Sequence, residues 1–469
     1  MKGQLLIMLL DRQSETPLYF QLYQQIKADY DPQRDGDRRL WSVRRLAQSL
    51  GVSKTTVVQA YEQLLAEGLV YSVPGSGYYF HQLQAWPGVQ APAATTRTSS
   101  LNEPTPTAPC RYDLRYGHTP LIKPSWNAWK KAVREALRQV EEAPADHAPI
   151  AQGSLALRQR LVAFLKTTRG VDCQADQIVI TNGAKAGLAV LLSLLPAGTV
   201  GVENPGYRGL QELATGYQHR VVSLPVTPTG VDLESVKQLA PAVVYTTPAH
   251  QFPLGVVMPV TQRLQLLEWA AHSRRLIIED DYDSEYRYAS HPLPALQSLA
   301  TAGQVVYLGR FSRSIDPSLR MGYLVLPPQL VPVYQAQYRY RSPMVAGLIQ
   351  QAMLNYFDSG AYYRHINRSR VINRKKYDLV CAELARTTLI EPIATGAGLH
   401  MVVRIPNLSQ TKLLAALAEQ SVRIYPLESN WQRMPTHDYY LLGFAALTLD
   451  DLTIALRRLV SVCERLGHP

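Results

Sequence analysis

Between residues 177 and 326 short apolar runs alternate with longer amphipathic stretches, and this alternation restricts the fold more than any other feature. The runs are residues 177–181, 199–203, 220–226, 242–247, 275–279, 305–308 and 320–326. Strands alternating with helices produce a mostly parallel sheet covered on both faces, with ligands outside the carboxyl ends of the strands. The expected fold class is therefore α/β. The chain has 469 residues, more than an average domain of roughly 100 to 200, so a second unit is expected. Within residues 81–110 the string WPGVQAPAATTRTSSLNEPTPTAP is rich in Pro, Ala and Thr and nearly uncharged, which marks a linker. The expected organisation is a small domain at 11–80, a linker at 81–110 and a large domain at 111–469.

Composition narrows the function. Hydrophobic residues at 46% and charged residues at 18% exclude wholesale disorder. The longest apolar runs, residues 5–10 and 186–195, fall short of the roughly 18 residues that cross a bilayer, so no membrane span is expected. Lys2 and the apolar residues after it imitate a leader peptide, but the run stops at Asp11. Cys110, Cys173, Cys381 and Cys463 show no CxxC spacing, so neither a disulfide framework nor a metal site is indicated, and a reducing cytoplasm fits. The net charge of +11 points to an anionic partner. Between Arg38 and Tyr61 five basic residues stand without an acid, whereas the run Arg364, Arg368, Arg370, Arg374, Lys375, Lys376 reads as a solvated helix face.

Val43, Leu46, Ala47 and Leu50 follow helical spacing, and Gly51-Val52-Ser53 breaks the pattern. Ser53 can cap a second helix with an apolar stripe of Val57, Tyr61, Leu64 and Leu65, leaving Thr55, Thr56 and Gln59 outside. Two helices joined by a short Gly-containing turn make a helix-turn-helix, whose second helix enters the major groove. Residues 69–73 and 78–80 flank Pro74-Gly75-Ser76-Gly77 as two strands and a turn, a wing. PLYFQLYQQIK and LWSVRRLAQSLGVSKTTVVQAYEQLLAEGLVYSVPGSGYYF resemble the winged helix-turn-helix of GntR-type transcriptional regulators. The resemblance puts Arg44, Ser53, Lys54, Thr55 and Thr56 at DNA-contacting positions and Gly75 at the wing tip. Ser53 and Lys54 stand at a helix amino terminus, which favours a phosphate, while Thr55 and Gln59 can reach base edges. A winged helix used for protein contacts is the bland alternative.

Further segments, TNGAKAGLAVL, VENPGY, TPAHQFPLGVVMP, LIIEDDYDSEYRY and FSRSIDPSLRMGYLV, resemble fold type I aminotransferases as they occur in MocR/GabR-type regulators. That resemblance implies a pyridoxal 5'-phosphate pocket. Asp280 matches the pyridine-pairing carboxylate, Tyr282 its hydroxyl neighbour and Tyr207 the ring-stacking aromatic. His250-Gln251 matches the position beside the ring oxygen, while Gly183, Ala184, Lys185, Ser312 and Arg320 match the phosphate cradle. The alternative for Asp280 is an ordinary helix-capping acid.

Where the family reads Phe-Ser-Lys for the Schiff base, this chain reads Phe311-Ser312-Arg313. A guanidinium stays protonated and cannot condense with an aldehyde, so no residue is assigned as catalytic. Arg310 stands where a small hydroxyl residue usually holds phosphate, Lys185 replaces a Gln, and Ala148 replaces a phosphate-binding Tyr. Leu441 and Leu442 occupy the substrate-carboxylate position. If the fold holds, Arg313, Arg310, Lys185 and Arg320 converge on a small anion opposite Asp280; alternatively Arg313 pairs with Asp280 while Arg310 and Lys185 turn to solvent. The implied function is a regulator that binds a double-stranded DNA operator as a head-to-tail homodimer. Its aminotransferase-like domain would sense a small effector, with pyridoxal phosphate held noncovalently at most. The competing readings are a working aminotransferase with an accessory DNA module, using Lys185 as a displaced lysine, and a purely structural scaffold.

Overall fold

The computed structural model describes residues 10–14, 16–30, 37–81, 110–117, 123–142, 150–288, 293–311, 315, 319–393, 396–432 and 438–467. It divides into two units, residues 1–105 and 106–469. Most of the expected linker, with Ala148, Ser312 and Arg313, lies outside the described residues.

In the first unit α1 (Leu18–Asp29), α2 (Val43–Leu50) and α3 (Lys54–Ala66) precede the antiparallel pair β1 (Val70–Val73) and β2 (Gly77–Phe80). Ser42 Oγ caps α2 by accepting the Arg45 N–H at 3.3 Å, and Gly51 ends it at φ 62, where a side chain would be strained. Leu22, Ile26, Leu46, Ala47, Val57, Tyr61, Leu64, Val70 and Phe80 close one core around these elements. One position departs from expectation. Leu65 is 42% exposed, and Ala60 takes its place in the stripe. Residues 57, 60, 61 and 64 keep the i, i+3, i+4, i+7 spacing, which Leu65 leaves by one residue, about 100° around the helix.

The second unit opens with β3 (Tyr112–Asp113). Its central sheet holds β4 (Ile178–Thr181), β5 (Thr199–Asn204), β6 (Arg220–Thr227), β7 (Gly230–Val231), β8 (Val243–Thr246), β9 (Leu276–Asp281), β10 (Val305–Arg310) and β11 (Gly322–Val325). Their order is β4-β11-β10-β9-β8-β5-β6-β7. Strands β10, β9, β8, β5 and β6 run parallel, while β11 lies antiparallel to both β10 and β4. The expected apolar runs coincide with these strands. Most are buried on both sides, which explains their near-continuous hydrophobicity, while β6 toward the sheet edge is only partly buried.

Helices cover both faces. On the first, α6 (Gly183–Leu194), α7 (Arg208–Gly216) and α10 (Val331–Tyr338) pack on Val202, Ile278, Val306 and Leu308. On the second, α4 (Lys123–Glu142), α5 (Leu155–Arg169) and α11 (Gly347–Asp358) pack on Ile180, Tyr307 and Tyr323, and α8 (Leu233–Leu239) and α9 (Val260–Ser273) on Val244 and Ile277. Consecutive residues of β9 thus alternate between faces, as strand geometry requires. A third layer carries β12 (Glu391–Pro392), β13 (His400–Arg404), β16 (Tyr439–Gly443) and β15 (Tyr425–Pro426), while β14 (Val422–Arg423) pairs with β3. Behind it lie α13 (Gln410–Glu419) and α14 (Leu449–Gly467). The long α12 (Ala361–Leu384) places Tyr362 and Ile366 in the core of the second face and Val380 and Leu384 in the C-terminal core. Among the described residues no helix is long and apolar enough to cross a membrane.

The basic run on α12 is only partly the solvated face that its sequence suggests. Arg370 donates to the Glu285 carbonyl at 2.9 Å, Arg374 to the Tyr288 carbonyl at 2.6 Å, and the buried Lys376 to the Ala445 carbonyl at 2.6 Å. Three carbonyls at loop ends need donors, and long side chains on a passing helix supply them. Burial pushes the Lys376 ammonium down to about 8. A depressed amine destabilises the fold while charged, so stability is expected to rise with pH from about 8 up to the ordinary value of 10.5. Lys376→Met should be the more stable form at neutral pH in urea titrations, by a margin that shrinks toward alkaline pH as the wild-type amine loses its proton.

Candidate functional site

Each unit carries one candidate site. In the first, Ser53 Oγ accepts the Thr56 N–H at 3.0 Å and lies 2.8 Å from Thr56 Oγ1, so both hydroxyls are spent on opening α3. Lys54, Thr55 and Gln59 are exposed beside them, as is Arg44 on α2. The five cations of the acid-free stretch separate into two groups. Arg38 lies 5.1 Å over the Phe80 ring, Arg39 reaches the Ser76 carbonyl and the Tyr79 ring, and Arg45 lies 4.7 Å over Trp41. Arg44 and Lys54 make no such contact among the described residues, leaving them available to phosphate. At the wing, Ser76 N–H closes the turn on the Val73 carbonyl at 3.0 Å, and Gly75, at φ 77, has open space around it. The clamp by Arg39 has no signal in the sequence, because it depends on the register of β2 across from residue 39.

In the second unit the site gathers at the carboxyl ends of β8, β9 and β10. Asp280, 3% exposed, accepts the Tyr245 hydroxyl at 2.6 Å, and Arg310 Nη2 donates to both its oxygens. Burial pulls the Arg310 guanidinium down, but the Asp280 carboxylate outweighs it and holds the group above its ordinary value. Arg310 is a cation at every accessible pH. Its guanidinium also lies 5.9 Å from the Tyr282 ring centre, and the Tyr282 hydroxyl is 3.0 Å from His250 Nδ1. His250 Nδ1 in turn lies 2.9 Å from Asp283 Oδ2. The ligand atoms of His250, Asp283 and His400, all buried, fall within 4.8 Å of one another, a grouping that residues so far apart in sequence do not announce. Gln251 is committed to the loops, donating to the Pro205 and Phe252 carbonyls.

Gly183, at φ 77, starts α6, and Ala184 and Lys185 follow in its first turn. Arg320 approaches there, its Cζ 3.9 Å from where a Cβ on Gly183 would stand. The Tyr207 ring folds onto its own helix, with Cζ 2.6 Å from a Cβ built on Gly209. Leu441 and Leu442 are buried core residues. Two expectations are corrected. Arg310 neither turns to solvent nor joins Lys185, which is exposed, but pairs with Asp280, while Arg313 lies outside the described residues. The reason is the register, since Leu308 stands opposite Asp280 and two further residues along β10 bring Arg310 onto the same face just beyond it.

Residues 18–80 match the family model described as bacterial regulatory proteins, gntR family, and residues 123–459 match aminotransferase class I and II. The chain belongs to the aminotransferase class I and II family and joins to it a gntR-family DNA-binding domain, the make-up of an HTH-type transcriptional regulator. It is 34% identical over 462 residues to the uncharacterized HTH-type transcriptional regulator YhdI of Bacillus subtilis, covering 96% of each chain. It is 31% identical to the HTH-type pyridoxine biosynthesis transcriptional regulator PdxR of Corynebacterium glutamicum, covering 88% of each. Among solved structures, LysN, an α-aminoadipate aminotransferase of Thermus thermophilus complexed with N-(5'-phosphopyridoxyl)-L-leucine, superposes with a TM-score of 0.66 at 22% identity, covering 76% of this chain and 92% of that one. The protein is a DNA-binding transcriptional regulator with an aminotransferase-like effector domain.

The residues present do not fit pyridoxal phosphate as an aminotransferase would hold it. A protonated pyridine nitrogen needs a free carboxylate, and both Asp280 oxygens carry a permanent cation. Removing either member of a buried pair strands the other. Arg310→Ala and Asp280→Ala should each cost about 3–5 kcal/mol in urea unfolding, and the double variant much less than their sum.

Proposed function

We propose that this chain binds operator DNA through the amino terminus of α3 and the wing, and that its second unit senses a small effector without transamination. The observation that carries the second half is Arg310 seated on Asp280. With Arg310 in place of the ring nitrogen, and Arg313 rather than an amine at the Schiff-base position, the domain holds its own substitute for the cofactor's positive charge. The amino terminus of α6 and Arg320 offer donors to an anionic effector. Assembly into a head-to-tail homodimer and residence in the cytoplasm follow the family pattern.

On the DNA side, Arg44 and Lys54 should each neutralise one phosphate. Arg44→Ala and Lys54→Ala are expected to weaken all duplexes similarly and to flatten the log–log salt dependence by about 0.9 each, read by fluorescence anisotropy. Unchanged affinity in both would overturn the docking. On the effector side, protein mixed with excess pyridoxal phosphate should develop no protein-bound aldimine band. A reduced pyridoxyl adduct on Lys185 after borohydride, found by mass spectrometry, would instead establish the aminotransferase reading.

A further inference from the structure

Asp280 and Asp281 are neighbours on β9 and therefore face opposite sides of the sheet. Asp280 belongs to the effector site proposed above. On Asp281's side lies a cavity of about 210 Å³, between the sheet, α5 and the first half of α12, whose lining also includes Arg310. It is far larger than the roughly 30 Å³ that one water occupies.

Its floor holds polar atoms with no hydrogen-bond partner among the described residues. Arg169 donates through Nε to Asp281 Oδ2 at 2.6 Å and through Nη1 to the Leu293 carbonyl at 2.8 Å, but Nη2, although buried, has no partner among the described residues. Tyr307 donates its hydroxyl to the same Asp281 Oδ2 at 2.6 Å and the Ser284 side chain supports the carboxylate too, while Asp281 Oδ1 has no close hydrogen bond among the described residues. A stranded donor and a stranded acceptor in a dry wall each cost free energy, and a ligand bearing both kinds of group satisfies them together. The sides are aromatic, formed by Phe164, Tyr323 and Tyr362. At the rim Asn367 and Arg370 are exposed, and Glu285 stands beside them. Asp281 is neutralised by Arg169 and Arg310 by Asp280, so the balance around the cavity favours an occupant with no net charge. At the rim the Arg370 charge is opposed by Glu285, whose carboxyl burial and then the Asp281 charge push up to about 7.

We infer that this cavity is a second ligand site, taking a free α-amino acid with an aromatic side chain. The ammonium meets Asp281 Oδ1, the carboxylate meets Arg169 Nη2, and the ring lies among Phe164, Tyr323 and Tyr362. The site grips α12 where that helix leaves one core for the other, so occupancy bears on the arrangement of the C-terminal layer.

The test uses the full chain without DNA, so it is independent of operator binding. In calorimetric titrations L-phenylalanine should bind, while benzoate and benzylamine, each lacking one charged group, should bind at least about tenfold more weakly. Asn367→Trp, a change at an exposed rim position, should abolish the binding without altering the melting temperature of the ligand-free protein. Arg320→Ala, on the other face of the sheet, should leave it intact. The inference is overturned if L-phenylalanine gives no heat, in which case the cavity holds only water, or if benzoate binds as well. It is equally overturned if binding survives Asn367→Trp or is lost in Arg320→Ala, since the ligand would then sit elsewhere.

Discussion

Four carboxylates, Glu279, Asp280, Asp281 and Asp283, are buried within five residues at the end of β9, and the second unit is organised around neutralising them. Taking a carboxylate out of water costs several kcal/mol unless it is paired or supplied with donors. Each is met differently. Glu279 accepts the backbone N–H groups of Leu296 and Gln297 at 2.8 Å, and burial together with Asp281 still pushes it up to about 7. Asp280 takes Arg310 and Tyr245, Asp281 takes Arg169 and Tyr307, and Asp283 takes His250. Burial raises Asp281 in the first instance, yet Arg169 and the hydroxyl of Tyr307 bring it below the ordinary carboxylate range. Strand ends, an interior helix terminus and a loop histidine are thereby fixed to one acidic segment. Tyrosine suits this task because its ring packs while its hydroxyl reaches an acid. Here lies one physical use for a composition of 27 Tyr against 7 Phe, which the sequence alone leaves without an account.

Much of this architecture is legible in the chain. Parallel strands covered on both sides are short and apolar throughout, so residues 199–203 and 305–308 declare themselves. The second and third helices of the first unit are equally plain, since Gly51 and Ser53 punctuate them. The mistake at Leu65 has a local cause. Leucine is the stronger apolar signal, but alanine sits at the position whose angle faces the core.

The pairing of charges was the least legible part. Arg169 and Asp281 are separated by 112 residues, and only the packing of α5 under the sheet joins them. For Arg310 the neighbouring motif points to phosphate chemistry, whereas the strand register points its guanidinium at Asp280. Short-range pattern identifies the element; which opposite charge it meets is decided by topology. The same holds in the first unit, where Arg38, Arg39 and Arg45 look equivalent to Arg44 in the sequence yet spend their charge on aromatic rings and a wing carbonyl.

The helix α12 runs 24 residues without interruption, about 36 Å at 1.5 Å per residue. Its two ends belong to different cores, and close-packed cores do not deform smoothly. It therefore behaves as a stiff lever rather than a tether. A tilt of a few degrees imposed near Tyr362 reappears, magnified by the length of the rod, as a displacement of roughly an ångström or more at Leu384.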